Sequence, residues 1–184
     1  HLPTRRQRQM CIRDRFGGYS LYLDGSNDYV TYDNLALDDG DFNIEAFIYD
    51  TKGSGYREIV NTYHGSASGS GPSGAWLFRV YSSGGNNNRL GFSYRSGGSW
   101  GSSIVSSTNA ISQNTWHHVA AVRSGDTLTL YIDGTAVNSG SVSALNNSTS
   151  AAVRVRATAS TPIQFFGGYI CLLYTSDAAD ESVS

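Results

Sequence analysis

Carboxylates that could form a catalytic pair are scarce in this 184-residue chain. A retaining glycosidase needs two carboxyl groups about 5 Å apart, and alternate residues of one strand can place them so. Between residues 16 and 170 the glutamates are Glu45 and Glu58. They fall on different predicted strands, and neither has an acidic residue two positions away. We therefore predict no glycosidase chemistry, and we interpret Glu45 as a hydrogen-bonding residue on a sheet face.

His117 and His118 form a second set of chemically capable residues. Neighbours on a strand point to opposite faces of a sheet, so the two imidazoles cannot bind one metal ion together. We expect one histidine to be half-buried and hydrogen-bonded and the other to lie on the surface. No serine or cysteine nucleophile accompanies them in a recognisable motif, and no phosphate-binding glycine pattern opens a helix.

Sugar binding requires aromatic rings together with amide or hydroxyl groups at a loop rim or a sheet face. Predicted loops carry such residues, and the candidates are Trp100, Tyr63, Tyr56 and Asn87. The alternative is that most of the 12 tyrosines pack within strands, as is usual in an all-β chain.

The elements that must position these residues are clearest in the stretch 115–137. Its residues alternate at a period of two, and Asp133-Gly134 is a pair that forms tight hairpin turns. The pattern predicts three antiparallel strands. Similar alternation between Gly, Ser and Asn turns predicts further short strands within 21–30, 42–49, 59–60, 75–81, 90–94, 153–155 and 164–170.

Four sequence segments resemble the laminin G-like jelly-roll domains of the concanavalin A-like lectin/glucanase group. They are LDGSNDYV from Leu23, DFNIEAFIY from Asp41, WHHVA from Trp116 and LTLYIDGTAV from Leu128. The resemblance implies an all-β, two-sheet antiparallel jelly-roll sandwich. It also implies a structural calcium site, with Asp24 and the carbonyl of Gly40 as ligands. The third ligand falls at the position taken by Cys171, so we expect the site to be incomplete in this chain. The alternative is that Asp24 only belongs to an Asp-Gly turn.

The two ends of the chain differ in composition from its middle. Arg5 to Arg15 can be back-translated into a DNA sequence whose complementary strand encodes the segment from Cys171 to Asp180. We therefore interpret residues 1–15 and 171–184 as non-native, derived from a translated sequencing adapter, and residues 16–170 as the laminin G-like domain. Both cysteines then lie outside that domain, which is expected to be cut within its last strand after Ile170.

Charge and hydropathy exclude several functions. The net charge of −2 gives no basic stripe for nucleic acid, and no apolar run is long enough to cross a bilayer. Together with the resemblance, this predicts a non-enzymatic recognition or adhesion module that binds a glycan or a protein, within a larger extracellular or virion-surface protein. A structural spacer or oligomerisation domain without a small ligand is the alternative, and a glycoside hydrolase is a distant third.

Overall fold

The computed structural model describes residues 20–32, 37, 40–62, 75–82, 87–96, 99–101, 103–107, 111–142, 145, 153–155 and 164–177. These residues contain thirteen strands and no helix. The strands are β1 (Leu21–Asp24), β2 (Val30–Tyr32), β3 (Phe42–Asp50), β4 (Arg57–Asn61), β5 (Trp76–Tyr81), β6 (Arg89–Ser96), β7 (Ser99–Trp100), β8 (Ile104–Val105), β9 (Trp116–Ser124), β10 (Thr127–Ile132), β11 (Thr135–Ser141), β12 (Val153–Val155) and β13 (Gly167–Asp177).

The strands form two antiparallel sheets. The six-stranded sheet has the order β1-β13-β3-β9-β10-β11, and the seven-stranded sheet has the order β2-β12-β4-β5-β6-β7, with β8 also paired to β6. This confirms the predicted all-β sandwich of two antiparallel sheets. None of the described residues forms a helix long and apolar enough to cross a membrane.

Alternating side chains decide which face of each sheet is buried. In β3 the even-numbered residues from Phe42 to Asp50 are buried and the odd-numbered ones are half-buried. The core joins the two layers where the Phe42 ring lies 6.2 Å from Phe92, on which Trp76 stacks at 6.0 Å. A fully buried side chain of this size stabilises the fold by about 1.5–3 kcal/mol, so the apolar inner faces hold the layers together.

A buried ion pair also connects the two sheets. Oδ2 of Asp50 at the end of β3 lies 2.8 Å from Nε of Arg57 in β4, and both side chains are fully buried. Arg57 also donates to the carbonyl of Gly55 at 2.8 Å and to Oδ1 of Asn88 at 2.7 Å. Because the ion pair and the two hydrogen bonds connect Arg57 to three positions in the chain, Arg57 fixes the end of the sandwich at which β3 and β4 meet.

The central hairpins agree with the sequence pattern. Strands β9, β10 and β11 pair in succession, and the turn between β10 and β11 uses Asp133 and Gly134 at φ angles of 51° and 77°. Positive φ at both central residues is the geometry of a type I′ turn, which an Asp-Gly pair tolerates.

The last strand continues beyond Ile170. β13 runs to Asp177 and pairs with β1 on one side and with β3 on the other, with an irregularity between Cys171 and Tyr174. Residues interpreted as adapter-derived therefore complete the six-stranded sheet. Their non-native origin stays a prediction.

Candidate functional site

A group of polar and aromatic side chains lies on the outer face of the seven-stranded sheet. We call it the Arg79 cluster, and it consists of Tyr56, Glu58, Arg79, Tyr81 and Ser93. The β4–β5 register pairs Glu58 with Arg79, and the β5–β6 register pairs Arg79 with Gly91. Alternate residues of neighbouring strands share a face, so Glu58, Arg79 and Tyr81 point away from the core together.

The Arg79 guanidinium lies between two tyrosine rings. Its central carbon is 4.5 Å from the ring centroid of Tyr56 and 4.5 Å from that of Tyr81. Nη2 donates to the Tyr81 hydroxyl at 3.2 Å, and Nη1 donates to Oε1 of Glu58 at 3.3 Å. The two cation–π contacts hold the guanidinium plane in place, while its Nε is buried without a hydrogen-bond partner among the described residues.

Glu58 is a fully buried carboxylate. Burial raises its pKa to about 7, against the opposing effect of the Arg79 charge. Its Oε2 has no hydrogen-bond partner in the described part of the chain. A buried acceptor without a donor costs free energy, so Glu58 depends on the nearby Arg79 guanidinium to remain ionised.

Hydroxyl groups extend the cluster across β6. The Tyr81 hydroxyl is hydrogen-bonded to Oγ of Ser93, which lies 2.8 Å from Oγ of Ser103. Gly91 makes room for the Tyr81 ring, because a Cβ at this position would lie 2.3 Å from a ring carbon.

The structure separates the sugar-binding residues predicted from sequence. Tyr56 belongs to the Arg79 cluster. Trp100 lies in the short strand β7 with 40% of its surface exposed, and the guanidinium carbon of Arg95 is 5.4 Å from its ring centroid. Arg79 of β5 and Arg95 of β6 lie on the same outer face. Arg79 pairs with Gly91, and Arg95 lies four residues further along β6, which is a distance of roughly 13 Å along the strand. Trp100 therefore lies at the other end of the same face.

The other two candidates do not join the cluster in the described residues. Asn87 is exposed in the turn between β5 and β6, where its Oδ1 accepts from Oγ of Ser82 at 3.3 Å. Tyr63 lies outside the described residues. Sequence analysis did not single out Arg79 and Tyr81, and it weighed Glu58 only as a possible catalytic carboxylate. The two-residue spacing of Arg79 and Tyr81 indicates that they share one face of a strand. The sequence does not show that Glu58 of β4 lies beside Arg79, because this depends on the pairing of β4 with β5.

Comparison with known families agrees with this architecture. A laminin G family model, described as concanavalin A-like lectin/glucanases superfamily, matches residues 24–179. The chain belongs to this superfamily. A sequence search of curated proteins found no match.

Solved structures of the same fold include sugar-binding and laminin domains. Domain 4 of AbnA, an extracellular arabinanase from Geobacillus stearothermophilus in complex with arabinotriose, is 16% identical with a TM-score of 0.67, over 89% of this chain and 72% of that one. The sialidase module CBM40 of Ruminococcus gnavus bound to α2,3-sialyllactose is 15% identical with a TM-score of 0.60, over 82% and 85%. Domains LG4-5 of the mouse laminin α1 chain are 16% identical with a TM-score of 0.59, over 85% and 40%. At these identities the likeness is one of fold.

The superfamily also includes glucanases, so the placement of carboxylates matters. Glu45 lies on the outer face of the six-stranded sheet, where its Oε2 is 3.0 Å from Nε2 of His118. Glu58 lies on the outer face of the other sheet. The two glutamates therefore point away from opposite sides of the sandwich, and Glu45 has the hydrogen-bonding role expected of it.

The two histidines lie on opposite faces, as predicted. His117 is buried, with Nδ1 2.7 Å from Oδ2 of Asp133 and with Nε2 accepting from the backbone N–H of Ser112 at 3.1 Å. His118 lies on the outer face and is partly exposed. The two imidazoles therefore do not form a common ligand site.

The superfamily resemblance implied calcium, but the assigned ligands do not meet. Asp24 lies near the C-terminal end of β3, because it pairs with Gly167 and the next residue of β13 pairs with Asp50. Gly40 lies at the opposite end, two residues before β3 begins. Nine residues of strand separate these two ends by roughly 27 Å. Cys171 pairs with Phe47 and is buried, at a third level of the sheet. The three positions named by the resemblance, Asp24, Gly40 and 171, therefore lie apart in this structure, and calcium binding by the domain stays a prediction.

A lysine ammonium lies near Asp24 instead. Lys52 Nζ donates to the carbonyl of Gly25 at 2.9 Å and to that of Phe165 at 3.2 Å. Burial and the charge of Arg57 lower the pKa of Lys52, whereas Asp50 and Asp24 act in the opposite direction. Asp24 Oδ1 accepts the backbone N–H of Ser26 at 2.8 Å, as in a turn. Within the described ranges no group of three or more His, Cys, Asp or Glu residues could hold a metal.

Proposed function

We propose that this domain is a non-catalytic carbohydrate-binding module that acts at the outer face of its seven-stranded sheet. The observation that carries the proposal is the Arg79 cluster, a guanidinium held between two tyrosine rings beside a buried carboxylate. The parts of the cluster that a sugar can reach are the half-buried Tyr56 ring and the edge of the Arg79 guanidinium, whose side chain is 13% exposed, while Glu58 holds the guanidinium from beneath.

The known neighbours support the same ligand class. Two of them are bound to oligosaccharides, sialyllactose in one case and arabinotriose in the other. They come from a sialidase and an extracellular arabinanase, so we propose that this domain also acts outside the cell or on a virion surface, within a larger protein. The fold alone does not fix the ligand, which is why the proposal rests on the cluster.

A glycan array followed by titration calorimetry of the best ligand tests this proposal. Glu58→Gln keeps the shape of the side chain and removes the charge, and we expect it to weaken binding roughly tenfold or more, as loss of a charged hydrogen-bond partner does. Arg79→Lys should also weaken binding, because lysine lacks the planar guanidinium that stacks between two rings.

Asp126→Asn is the matched control. It also converts a carboxylate into an amide, at a side chain that is 83% exposed in the turn between β9 and β10, and it is expected to leave binding at the cluster unchanged. An empty array, combined with a stable oligomer in sedimentation analysis, would instead support the structural spacer. Hydrolysis of an arrayed glycan would contradict a non-catalytic module.

A further inference from the structure

Four aromatic side chains form a straight row on the outer face of the six-stranded sheet. We call this the aromatic row, and it consists of Tyr22, Tyr169, Tyr49 and Trp116. The register pairs Tyr22 with Tyr169, Tyr169 with Tyr49, and Tyr49 with Trp116. The row thus crosses β1, β13, β3 and β9 at one level, over about 14 Å at the usual spacing of neighbouring strands.

The rings contact one another along the row. Successive ring centroids are 5.1, 5.8 and 5.5 Å apart, with interplanar angles of 51°, 74° and 56°. Tilted and edge-to-face pairs at these distances are favourable, because the positive edge of one ring meets the negative face of the next. The rings are therefore held in place before a ligand arrives, which lowers the entropic cost of binding.

The exposed area of the row is too small for a stable protein interface. Tyr22 is 37% exposed and the other three residues are half-buried. With about 150–250 Å² for each aromatic side chain, the row exposes less than about 400 Å². A standard interface buries about 800 Å² on each partner, so the row suits a narrow ligand better than a second protein.

The surroundings of the row are polar without net positive charge. Two residues further along the strands from the row, the His118 side chain is hydrogen-bonded to Glu45. The His118 ring also packs against Phe47, with 4.8 Å between the ring centroids. The outer-face residues of β3 and β9 include no lysine or arginine, and they are Asn43, Glu45, Phe47, Tyr49, Trp116, His118, Ala120 and Val122. An anionic ligand would find no counter-charge on these two strands.

We propose that the aromatic row is a second binding site, separate from the Arg79 cluster, that takes a linear, neutral polysaccharide. The C–H faces of successive sugar rings stack along the row because the aromatic faces carry partial negative charge. Tyrosine hydroxyls and the His118–Glu45 pair hydrogen-bond to the sugar edges. The two sites face away from each other across the sandwich.

The test uses tryptophan fluorescence in a Trp100→Phe background. This background leaves two tryptophans, Trp76 and Trp116. Trp76 is fully buried, so quenching by a solute in solution reports on Trp116 of the row. The probes are soluble neutral polysaccharides with β-1,4-glucan, β-1,3-glucan, β-1,4-xylan and α-1,5-arabinan backbones. We expect at least one of them to protect Trp116 from acrylamide quenching and to retard the protein in affinity gel electrophoresis.

Variants assign the binding to the row. Tyr22→Ala and Tyr49→Ala should each weaken the retardation roughly tenfold, as truncation of an aromatic anchor does. Tyr29→Ala is the matched control, because Tyr29 is 54% exposed and lies outside the row. Melting temperatures of all variants are compared first, so that loss of binding is not loss of folding.

Glu58→Gln separates this proposal from the previous one. Binding that is lost in Tyr22→Ala and kept in Glu58→Gln supports the row, whereas the reverse supports only the Arg79 cluster. No protection of Trp116 by any of the four polysaccharides would overturn the proposal, as would retardation that survives both row variants. A dimer that dissociates on Tyr22→Ala would also overturn it, by making the row a self-interface.

Discussion

At the scale of single residues, the side chains of Glu58 and Lys52 lie in places where burial disfavours their charged forms. Glu58 faces Arg79 beneath the outer surface of one sheet, and Lys52 is tied to two backbone carbonyls at the end of β3. Each charge is tolerated because its partners replace part of the lost hydration. Both residues can therefore be tested by changes that remove the charge and keep the size of the side chain.

Glu58 should make the stability of the domain depend on pH. Its pKa is about 7 in the folded chain and 4.5 without the protein environment, so between these values the folded state binds more protons than the unfolded state. The free energy of unfolding should then fall by about 3 kcal/mol as the pH rises from about 4.5 to about 7, and this contribution should be constant above pH 7.

Urea denaturation at several pH values, on the wild type and on Glu58→Gln, measures this contribution. The difference in stability between the two proteins should change across the interval, because all other titrating groups are shared. A difference that is constant from pH 4 to pH 8 would contradict a raised pKa for Glu58.

Lys52 is proposed to provide the positive charge near Asp24 in place of a calcium ion. Lys52→Met should lower the free energy of unfolding by about 1–2 kcal/mol, since it removes two hydrogen bonds from a charged donor that is partly exposed. An excess of calcium should leave the melting temperature of the wild type unchanged.

Amine labelling gives an independent measurement, because Lys52 is the single lysine of the chain. Labelling of Lys52, followed by mass spectrometry, should be slow in the folded protein and fast in urea. A calcium-dependent rise in melting temperature, or fast labelling of the folded protein, would show that Lys52 Nζ is not held by the two backbone carbonyls near Asp24.

At the scale of elements, Gly91 of β6 lets the Tyr81 ring lie against the sheet. Gly91→Ala should displace this ring and open the contact between Tyr81 and Arg79, so sugar binding at the cluster should fall. Tyr81→Phe is the comparison, because it keeps the ring and removes only the hydroxyl. We expect calorimetry to show a larger loss of affinity for Gly91→Ala than for Tyr81→Phe, and equal losses would argue against a role for ring position.

The strands themselves could be predicted from the sequence more fully than the way in which they pair with one another. The alternation in β3 and the Asp133-Gly134 turn each follow from neighbouring residues, and the structure confirms both. Trp100 was expected in a turn but lies in a two-residue strand, because pairing with β6 decides its conformation. The Arg79 cluster and the aromatic row depend on the register between strands, which local pattern does not determine. The row in particular joins β1 to β13, the two most distant strands in sequence.

At the scale of the whole molecule, closure of the six-stranded sheet depends on β13. Its residues from Cys171 to Asp177 pair with β3 from Phe42 to Phe47, and among the described strands the other sheet neighbour of β3 is β9. Removing residues 171–184 should therefore leave one side of β3 unpaired from Phe42 to Phe47 and promote association through this edge.

Thermal unfolding and sedimentation of the truncated chain measure this effect. We expect a lower melting temperature together with oligomers or aggregates. A monomer as stable as the full chain would show that the second half of β13 contributes nothing to the fold, and it would support a non-native origin for these residues.

The neighbouring positions of β1 and β13 have a consequence for protein engineering. Leu21 pairs with Ile170, and β13 then runs on for seven residues to Asp177, so a linker that joins the two ends of the fold must span roughly 23 Å. With a linker of about ten residues, the exposed turn at Gly125 can be opened to create new termini, and the resulting circular permutant should keep both sheets. The same geometry would let a host protein carry the domain as an insertion between two linkers.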